Sequence, residues 1–239
     1  MPKELLYEGK AKAVYAGDNK EEVILFYKDD ATAFNGLKKE TIDHKGILNN
    51  KISTYIFKQL EAKGIKTHYI KTINETQQLC KSVKIIPLEF ICRNEVHGSM
   101  AKRLGMEIGC DLIKPVLEIC YKNDELNDPL INNLHAEALG LISLSELEKC
   151  YQLVLKINEE LKKIFQELNI KLIDFKIEFG YDKDNNILLA DEISPDSCRL
   201  RDITTQKQLD KDLFRHDIGD LTSAYTEIVR RIEGKWEAV

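Results

Sequence analysis

A chain of 239 residues, 43% hydrophobic and 31% charged, can bury a sizeable core as one large domain or as two small lobes sharing a cleft. Its net charge of −5, with acids and bases mixed throughout, argues against a protein that coats nucleic acid, which would carry a basic stripe. No apolar run approaches the roughly 20 residues that a membrane-spanning helix needs, and the start MPKELLYEGKAK lacks an apolar signal core.

The first part of the chain is typical of a small antiparallel sheet. LLYEG, AVYAG and VILFY, within residues 4–27, alternate with turn residues and predict three strands. Lys10 and Lys12 flank the bend after Gly9, where they form either a solvated turn or a lid over phosphate groups. The phosphate-loop pattern GxxxxGK[ST] is absent. Residues 29–40 carry turn residues without an apolar period and are predicted to form a loop.

Apolar positions three and four residues apart predict three long helices, over residues 42–63, 144–168 and 221–232. Gly64 and Gly234 follow the first and the last of these helices. LEFICR, after Pro87, and VLEICY are typical of strands. Ser99 is predicted to cap a short helix, with Gly98 giving the backbone room.

Six cysteines form no CxxC pair, and histidines do not cluster near them, which disfavours a zinc site. We therefore expect a reduced, cytoplasmic protein in which the cysteines act mostly as small hydrophobic side chains.

The stretch from residue 174 to residue 202 carries the densest chemistry. DFKIEFG alternates with the period of a strand, DKDN is turn chemistry, and NILLAD predicts the return strand of a hairpin. If the turn centres near residues 183 and 184, Lys176 faces Asp191, and Glu178 lies diagonal to that pair at roughly 7–8 Å. A solvated polar face is one explanation. Two carboxylates, a lysine and nearby arginines also suit an Mg-nucleotide site.

Motifs along nearly the whole chain, in this order and spacing, resemble the SAICAR synthetase family of purine biosynthesis: YEGKAK, ATAFNG, KGILNNKIS, PLEFICRN, GSMAKRLG, KND with DP, DFKIEFG, DEISPDSCRLRD and DKDLFR. The resemblance implies an ATP- and Mg²⁺-dependent ligase that joins the carboxylate of the nucleotide CAIR to the amine of L-aspartate through a carboxyl phosphate. Phosphoryl transfer needs mainly positioning and charge neutralisation. That requirement agrees with the lack of a Ser-His-Asp or Cys-His arrangement.

The resemblance also implies an α+β fold with two lobes and a homodimeric assembly. An antiparallel β lobe over residues 1–85 would cover the nucleotide, and a larger α+β lobe over residues 86–239 would carry the metal and substrate sites. ATP would lie between the lobes, and neither nucleic acid nor a membrane is an expected partner.

The ATP site that the resemblance implies combines phosphate, base, ribose and metal contacts. Lys10 and Lys12 would cover the phosphates, and Ile85 would face the adenine. Glu178 and Asp191 would bind Mg²⁺. Lys122 would lie near the ribose.

The CAIR site would consist of Arg93, Ser99 and Arg199, with Asn35, Asp128 and Arg215 lining it. The predicted catalytic residues are Lys176, which would neutralise charge during transfer, Arg199, and Asp196, which would help to bind the amino acid.

Three positions depart from the family's pattern. Asn35 stands where some members have Asp, Arg201 where an aromatic residue is frequent, and His97 where a small residue is usual. Two alternatives share the Mg-ATP site: a small-molecule kinase, which needs no amine, and a non-catalytic nucleotide sensor. The arginine set with Ser99, together with the SPD loop at residues 194–196, favours the ligase over both alternatives, and a sensor would not need to keep a complete acceptor site.

Overall fold

A five-stranded antiparallel sheet forms the first part of the fold in the computed structural model, which describes residues 3–33 and 36–236. Its strands are β1 (Leu5–Glu8), β2 (Lys12–Ala16), β3 (Glu22–Tyr27), β6 (Tyr69–Asn74) and β7 (Gln77–Lys81), in the order β1-β2-β3-β7-β6. The three predicted N-terminal strands are therefore confirmed. Asn35 lies outside the described residues.

A two-stranded sheet occupies part of the segment that was predicted to be a loop. β4 (Asp30–Ala33) pairs with β5 (Lys38–Thr41), and the side chains of Ala31 and Ala33 are buried. The loop prediction was wrong here because strands of four residues are too short to reveal a period, and alanine is a weak marker of burial.

A six-stranded sheet forms the second part of the fold. It contains β8 (Lys84–Glu95), β9 (Asp111–Tyr121), β10 (Leu130–Ile131), β11 (Ile170–Tyr181), β12 (Ile187–Ala190) and β13 (Cys198–Asp202). The order is β10-β9-β8-β11-β12, and β13 also pairs with β11. Pro87 lies inside β8 instead of preceding it. The carbonyl of Pro87 accepts a hydrogen bond of 3.0 Å from the backbone N–H of Lys122, just past the end of β9, so the missing N–H of the proline lies where the β8–β9 pairing ends.

Helices cover and connect the two sheets: α1 (Lys45–Ala62), α2 (Gly98–Leu104), α3 (Asn133–Ala138), α4 (Leu144–Glu167), α5 (Asp212–His216) and α6 (Leu221–Trp236). The three long predicted helices are confirmed, with shifted ends. Gly234 lies within α6 instead of ending it. None of the described helices is long and apolar enough to cross a membrane.

The main core joins residues from both parts of the chain. Leu48, Ile52 and Phe57 of α1 belong to the same buried cluster as Phe165 of α4 and Phe179 of β11. α1 also contacts β3 and β6 of the first sheet. This packing places α1 between the first sheet and helices α4 and α6. The division into lobes at residue 85 stays a prediction.

Candidate functional site

A cleft of about 550 Å³ lies between the two sheets. Nine of the side chains predicted to form the site line it: Lys10, Lys12, Ile85, Lys122, Asp128, Lys176, Glu178, Asp191 and Asp196. Val14, Val23 and Leu25 of the first sheet add an apolar wall. A concave site with an apolar wall and a few converging polar groups is typical of a small-molecule or cofactor pocket.

The hairpin that carries the acids has a register one residue away from the predicted one. Glu178 pairs with Ala190, and the turn is closed by a hydrogen bond from Asp182 N to Asn186 O at 3.0 Å, so it centres on Asp184. A shift of one residue sends a regular strand residue to the opposite face. Asp191 nevertheless reaches the cleft, because its φ of 61° takes the backbone out of strand geometry and its carboxylate contacts Lys12.

Alternating lysines and carboxylates line the floor of the cleft. Glu178 lies directly opposite Glu89 across β11 and β8, a like-charge pair that would be destabilising without cations. Lys176 Nζ lies 2.6 Å from Glu89 Oε1 and 3.3 Å from Glu178 Oε1. Lys122 Nζ lies 2.6 Å from the same Glu178 oxygen. The two lysines therefore neutralise the acidic pair.

Mutual pairing keeps these groups charged. Burial by itself lowers the pKa of Lys176, but the carboxylates around it, Glu178 foremost, outweigh burial and raise that pKa. Burial by itself raises the pKa of Asp191, but the ammonium groups around it, Lys12 foremost, hold it well below its usual value. At neutral pH the cleft therefore presents fixed positive and negative charges to a ligand.

The donor set of the cleft is compatible with Mg²⁺. Glu178 and Asp191 offer the carboxylate oxygens that this ion prefers, and one or two carboxylates suffice when phosphate oxygens complete the shell. The neighbouring Glu192 has a buried oxygen, Oε2, without a hydrogen-bond partner. Within residues 3–33 and 36–236, no three His, Cys, Asp or Glu side chains form a metal cage. The protein alone therefore provides part of a coordination shell.

A row of arginines lies outside the cleft lining. Antiparallel pairing brings Arg93 of β8 and Arg199 of β13 to either side of Asp174 on β11. Asp174 Oδ2 accepts a hydrogen bond of 2.8 Å from each guanidinium group. Asp212 accepts one hydrogen bond from Arg199 Nε at 2.8 Å and another from Arg215 Nη1 at 2.5 Å. The three predicted arginines thus form one network with two bridging carboxylates.

Ser99 belongs to this row, although it does not cap α2 as predicted. The N-terminal flanking residue of α2 is His97, without a side-chain cap. Ser99 Oγ instead accepts hydrogen bonds from Arg93 at 3.1 Å and Arg103 at 3.0 Å. A Cβ atom on Gly98 would lie 2.8 Å from the Arg199 guanidinium group. Glycine there lets the backbone approach the arginine row closely.

The two departures from the family's pattern near this row contact each other. Arg201 Nη2 lies 3.4 Å from His97 Nε2, and Arg201 Nη1 lies 3.9 Å from Glu95 Oε1. Burial, together with the Arg199 and Arg201 cations, lowers the pKa of His97. The sequence could not show that residues so far apart in the chain form a pair.

Asp196 lies in a buried ion cluster that the sequence did not reveal. Its Oδ1 accepts a hydrogen bond from the Tyr225 hydroxyl at 2.7 Å. Its Oδ2 lies 2.6 Å from Lys45 Nζ and 3.4 Å from Lys211 Nζ. Lys45 is fully buried. Because lysines are mostly exposed, the sequence offered no reason to expect Lys45 and Lys211 in a buried cluster. Only the tertiary structure shows that they are buried beside Asp196. Asp128 accepts from the backbone N–H of Asn123 at 2.8 Å.

Comparison with known proteins agrees with the fold. The family model described as SAICAR synthetase matches residues 5–232. The phosphoribosylaminoimidazole-succinocarboxamide synthase of Clostridium novyi is 58% identical, over 97% of this chain and 98% of its own. The corresponding enzyme structure from Ehrlichia chaffeensis has a TM-score of 0.94 and 45% identity, covering 96% of this chain and 98% of its own.

A SAICAR synthetase solved in complex with ADP has a TM-score of 0.92 and 50% identity, covering 95% of this chain and 97% of its own. These matches confirm the predicted α+β fold. The chain belongs to the SAICAR synthetase family.

Proposed function

We propose that the protein is an ATP-dependent ligase of purine biosynthesis that joins the carboxylate of CAIR to the amine of L-aspartate, giving SAICAR, ADP and phosphate. The observation that carries this proposal is the cleft, in which lysines and carboxylates alternate beside an apolar wall. The ADP complex of a relative that is 50% identical supports the use of ATP.

The chemistry requires activation of the carboxylate, because its leaving group would otherwise be oxide. The γ-phosphoryl group of ATP moves to a carboxylate oxygen of CAIR and releases ADP. The aspartate amine then attacks the carbonyl carbon, phosphate leaves with the C–O bonding electrons, and the nitrogen loses a proton. Positioning and charge neutralisation supply most of the acceleration in phosphoryl transfer. The fixed charges of the cleft are suited to that role.

Each predicted residue of the cleft has a role in this scheme. Val14, Val23, Leu25 and Ile85 would pack against the adenine. Lys10 and Lys12 would hold the phosphates, Lys122 would lie near the ribose, and Lys176 would neutralise the transferred group. Glu178 and Asp191 would bind Mg²⁺, which supplies charge neutralisation at the phosphates when it is bound.

The arginine row would bind CAIR. Arg93, Arg199 and Arg215 carry the planar guanidinium groups that recognise phosphate and carboxylate in a bidentate manner. Asp174 and Asp212 partly satisfy their charges and hold the side chains in place. Ser99, Asn35 and Asp128 complete the predicted set. A homodimeric assembly and a cytoplasmic location also belong to the proposal, and the six free cysteines agree with a reduced compartment.

The decisive experiment measures ADP release by the purified protein with Mg-ATP, CAIR and L-aspartate, omitting each in turn. The ligase requires all three substrates and yields SAICAR. Release with CAIR alone, at a rate that aspartate does not alter, would instead identify a small-molecule kinase. ATP binding without substrate-dependent ADP release would identify a nucleotide sensor.

A further inference from the structure

Two cations are in direct contact with Asp196 in its ion cluster, and the carboxylate of Glu192 also acts on Lys211. Two lysines, Lys45 and Lys211, share the single carboxylate of Asp196. Lys45 is the closer partner at 2.6 Å, whereas Lys211 Nζ lies 3.4 Å away. The Tyr225 hydroxyl binds the other oxygen of Asp196, so both lysines approach Oδ2, to which Lys211 donates only a long hydrogen bond of 3.4 Å.

Lys211 is the member of the cluster that faces the cleft. Its side chain lines the cleft and is mostly buried, whereas Lys45 is fully buried and absent from the lining. The backbone N–H of Lys211 donates to the carbonyl of Pro195 at 3.1 Å, which fixes the residue against the turn that carries Asp196. Lys211 directly precedes α5, which carries Arg215. It therefore lies between the cleft and the arginine row.

The other lysines of the cleft are already paired, apart from the exposed Lys81. Each has a carboxylate oxygen within 2.8 Å: Lys10, Lys12, Lys122 and Lys176. Burial lowers the pKa of Lys211, and Asp196 opposes that effect only in part. An incoming anion would stabilise the charged form of this lysine more than that of any paired lysine in the cleft.

We infer that Lys211 binds a carboxylate group of the amino-acid substrate, and that Asp196 acts as its positioning counter-ion. The inference rests on the proposed function, in which the other lysines hold the ATP phosphates and the arginines hold CAIR. The carboxylates of L-aspartate are then the anionic groups that still lack a cation. Asp196 acts through Lys211 and Lys45, because these lysines and the Tyr225 hydroxyl are the groups that contact its oxygens.

The test compares Lys211→Met, Lys211→Arg and the control Lys207→Met, whose lysine is exposed four residues earlier. Methionine keeps the bulk of the side chain and removes the charge. We expect Lys211→Met to raise the KM for L-aspartate by about 10- to 100-fold, the value of one charge-assisted hydrogen bond. The KM values for ATP and CAIR should stay near wild type, and Lys211→Arg should recover part of the affinity.

A second measurement uses succinate, which carries both carboxylates of aspartate but no amine. Succinate should compete with aspartate in the wild type, and its inhibition constant should rise in Lys211→Met by the same factor as the KM. An unchanged aspartate KM, a rise for CAIR alone, or equal rises for all three substrates would overturn the inference. So would equal losses in the Met and Arg variants. Failure of the wild type to make SAICAR would instead overturn the proposed function.

Discussion

Replacing Glu178 with glutamine removes one charge from the floor of the cleft and keeps the shape of the side chain. Glu178 is 3% exposed and accepts contacts from Lys122 at 2.6 Å and Lys176 at 3.3 Å. Glutamine can still accept one hydrogen bond from either lysine through its carbonyl oxygen. The fold should therefore survive, whereas a predicted metal ligand becomes neutral.

The loss of stability expected for Glu178→Gln depends on the ion-pair partners that its neighbouring lysines keep. Lys176 keeps Glu89 at 2.6 Å, so the variant leaves no isolated buried charge on that lysine. Weakening two contacts to a charged group should lower the free energy of unfolding by about 1–3 kcal/mol. Loss of a carboxylate that binds the metal-nucleotide should lower kcat/KM by at least about 100-fold, or about 2.7 kcal/mol of transition-state stabilisation.

The assay follows SAICAR formation while Mg²⁺ is titrated, and urea unfolding reports stability separately. Glu178→Gln should need a much higher Mg²⁺ concentration for half-maximal rate. Glu21→Gln serves as the control, because Glu21 pairs with Lys183 at 2.9 Å on an exposed surface outside the cleft. Near-wild-type turnover at ordinary Mg²⁺ in the glutamine variant would refute the metal role of Glu178.

Three further variants test the ionic clusters around the cleft. Arg199→Lys keeps the charge but loses the planar fork, so steady-state kinetics should show a CAIR KM raised by about tenfold or more, with the ATP KM unchanged. Tyr225→Phe removes the 2.7 Å hydrogen bond to buried Asp196 and should lower the urea-derived stability by about 1.5–3 kcal/mol; a loss below about 0.5 kcal/mol would contradict this. The Thr205 backbone N–H and Arg231 lower the pKa of Asp202 to about 2. The contribution of Asp202 to the free energy of unfolding is therefore fully present above its ordinary pKa and is lost as the pH falls towards 2. In urea unfolding between pH 5 and pH 2, Asp202→Asn should therefore lose about 1–2 kcal/mol less stability than the wild type.

In the hairpin of β11 and β12, the alternation of residues predicted the strand faces correctly but not the register between the strands. Alternation placed Lys176 and Glu178 on one face, and the structure confirms both in the cleft. The predicted partner of Lys176 was displaced by one residue, because the turn holds three residues between Asp182 and Asn186. Turn length sets register, and turn residues alone do not specify the length.

The arginine row illustrates what family motifs can and cannot supply. The resemblance predicted that Arg93, Arg199 and Arg215 belong to one site. It did not indicate that Asp174 would bridge two of them. That role depends on three strands lying side by side, and cross-strand neighbours come from segments far apart in the chain.

The sequence by itself determined the long helices and most strands, and its family motifs predicted the set of site residues. Periodicity is local, and the motifs lie within short segments, so both can be read along the chain. Only the tertiary structure decided which charges pair. Lys45, Asp196 and Lys211 come from three separate segments of the chain. Their charges are removed from water only when α1, the turn before β13 and the start of α5 pack together, and burial is what makes the pairing of these charges energetically important.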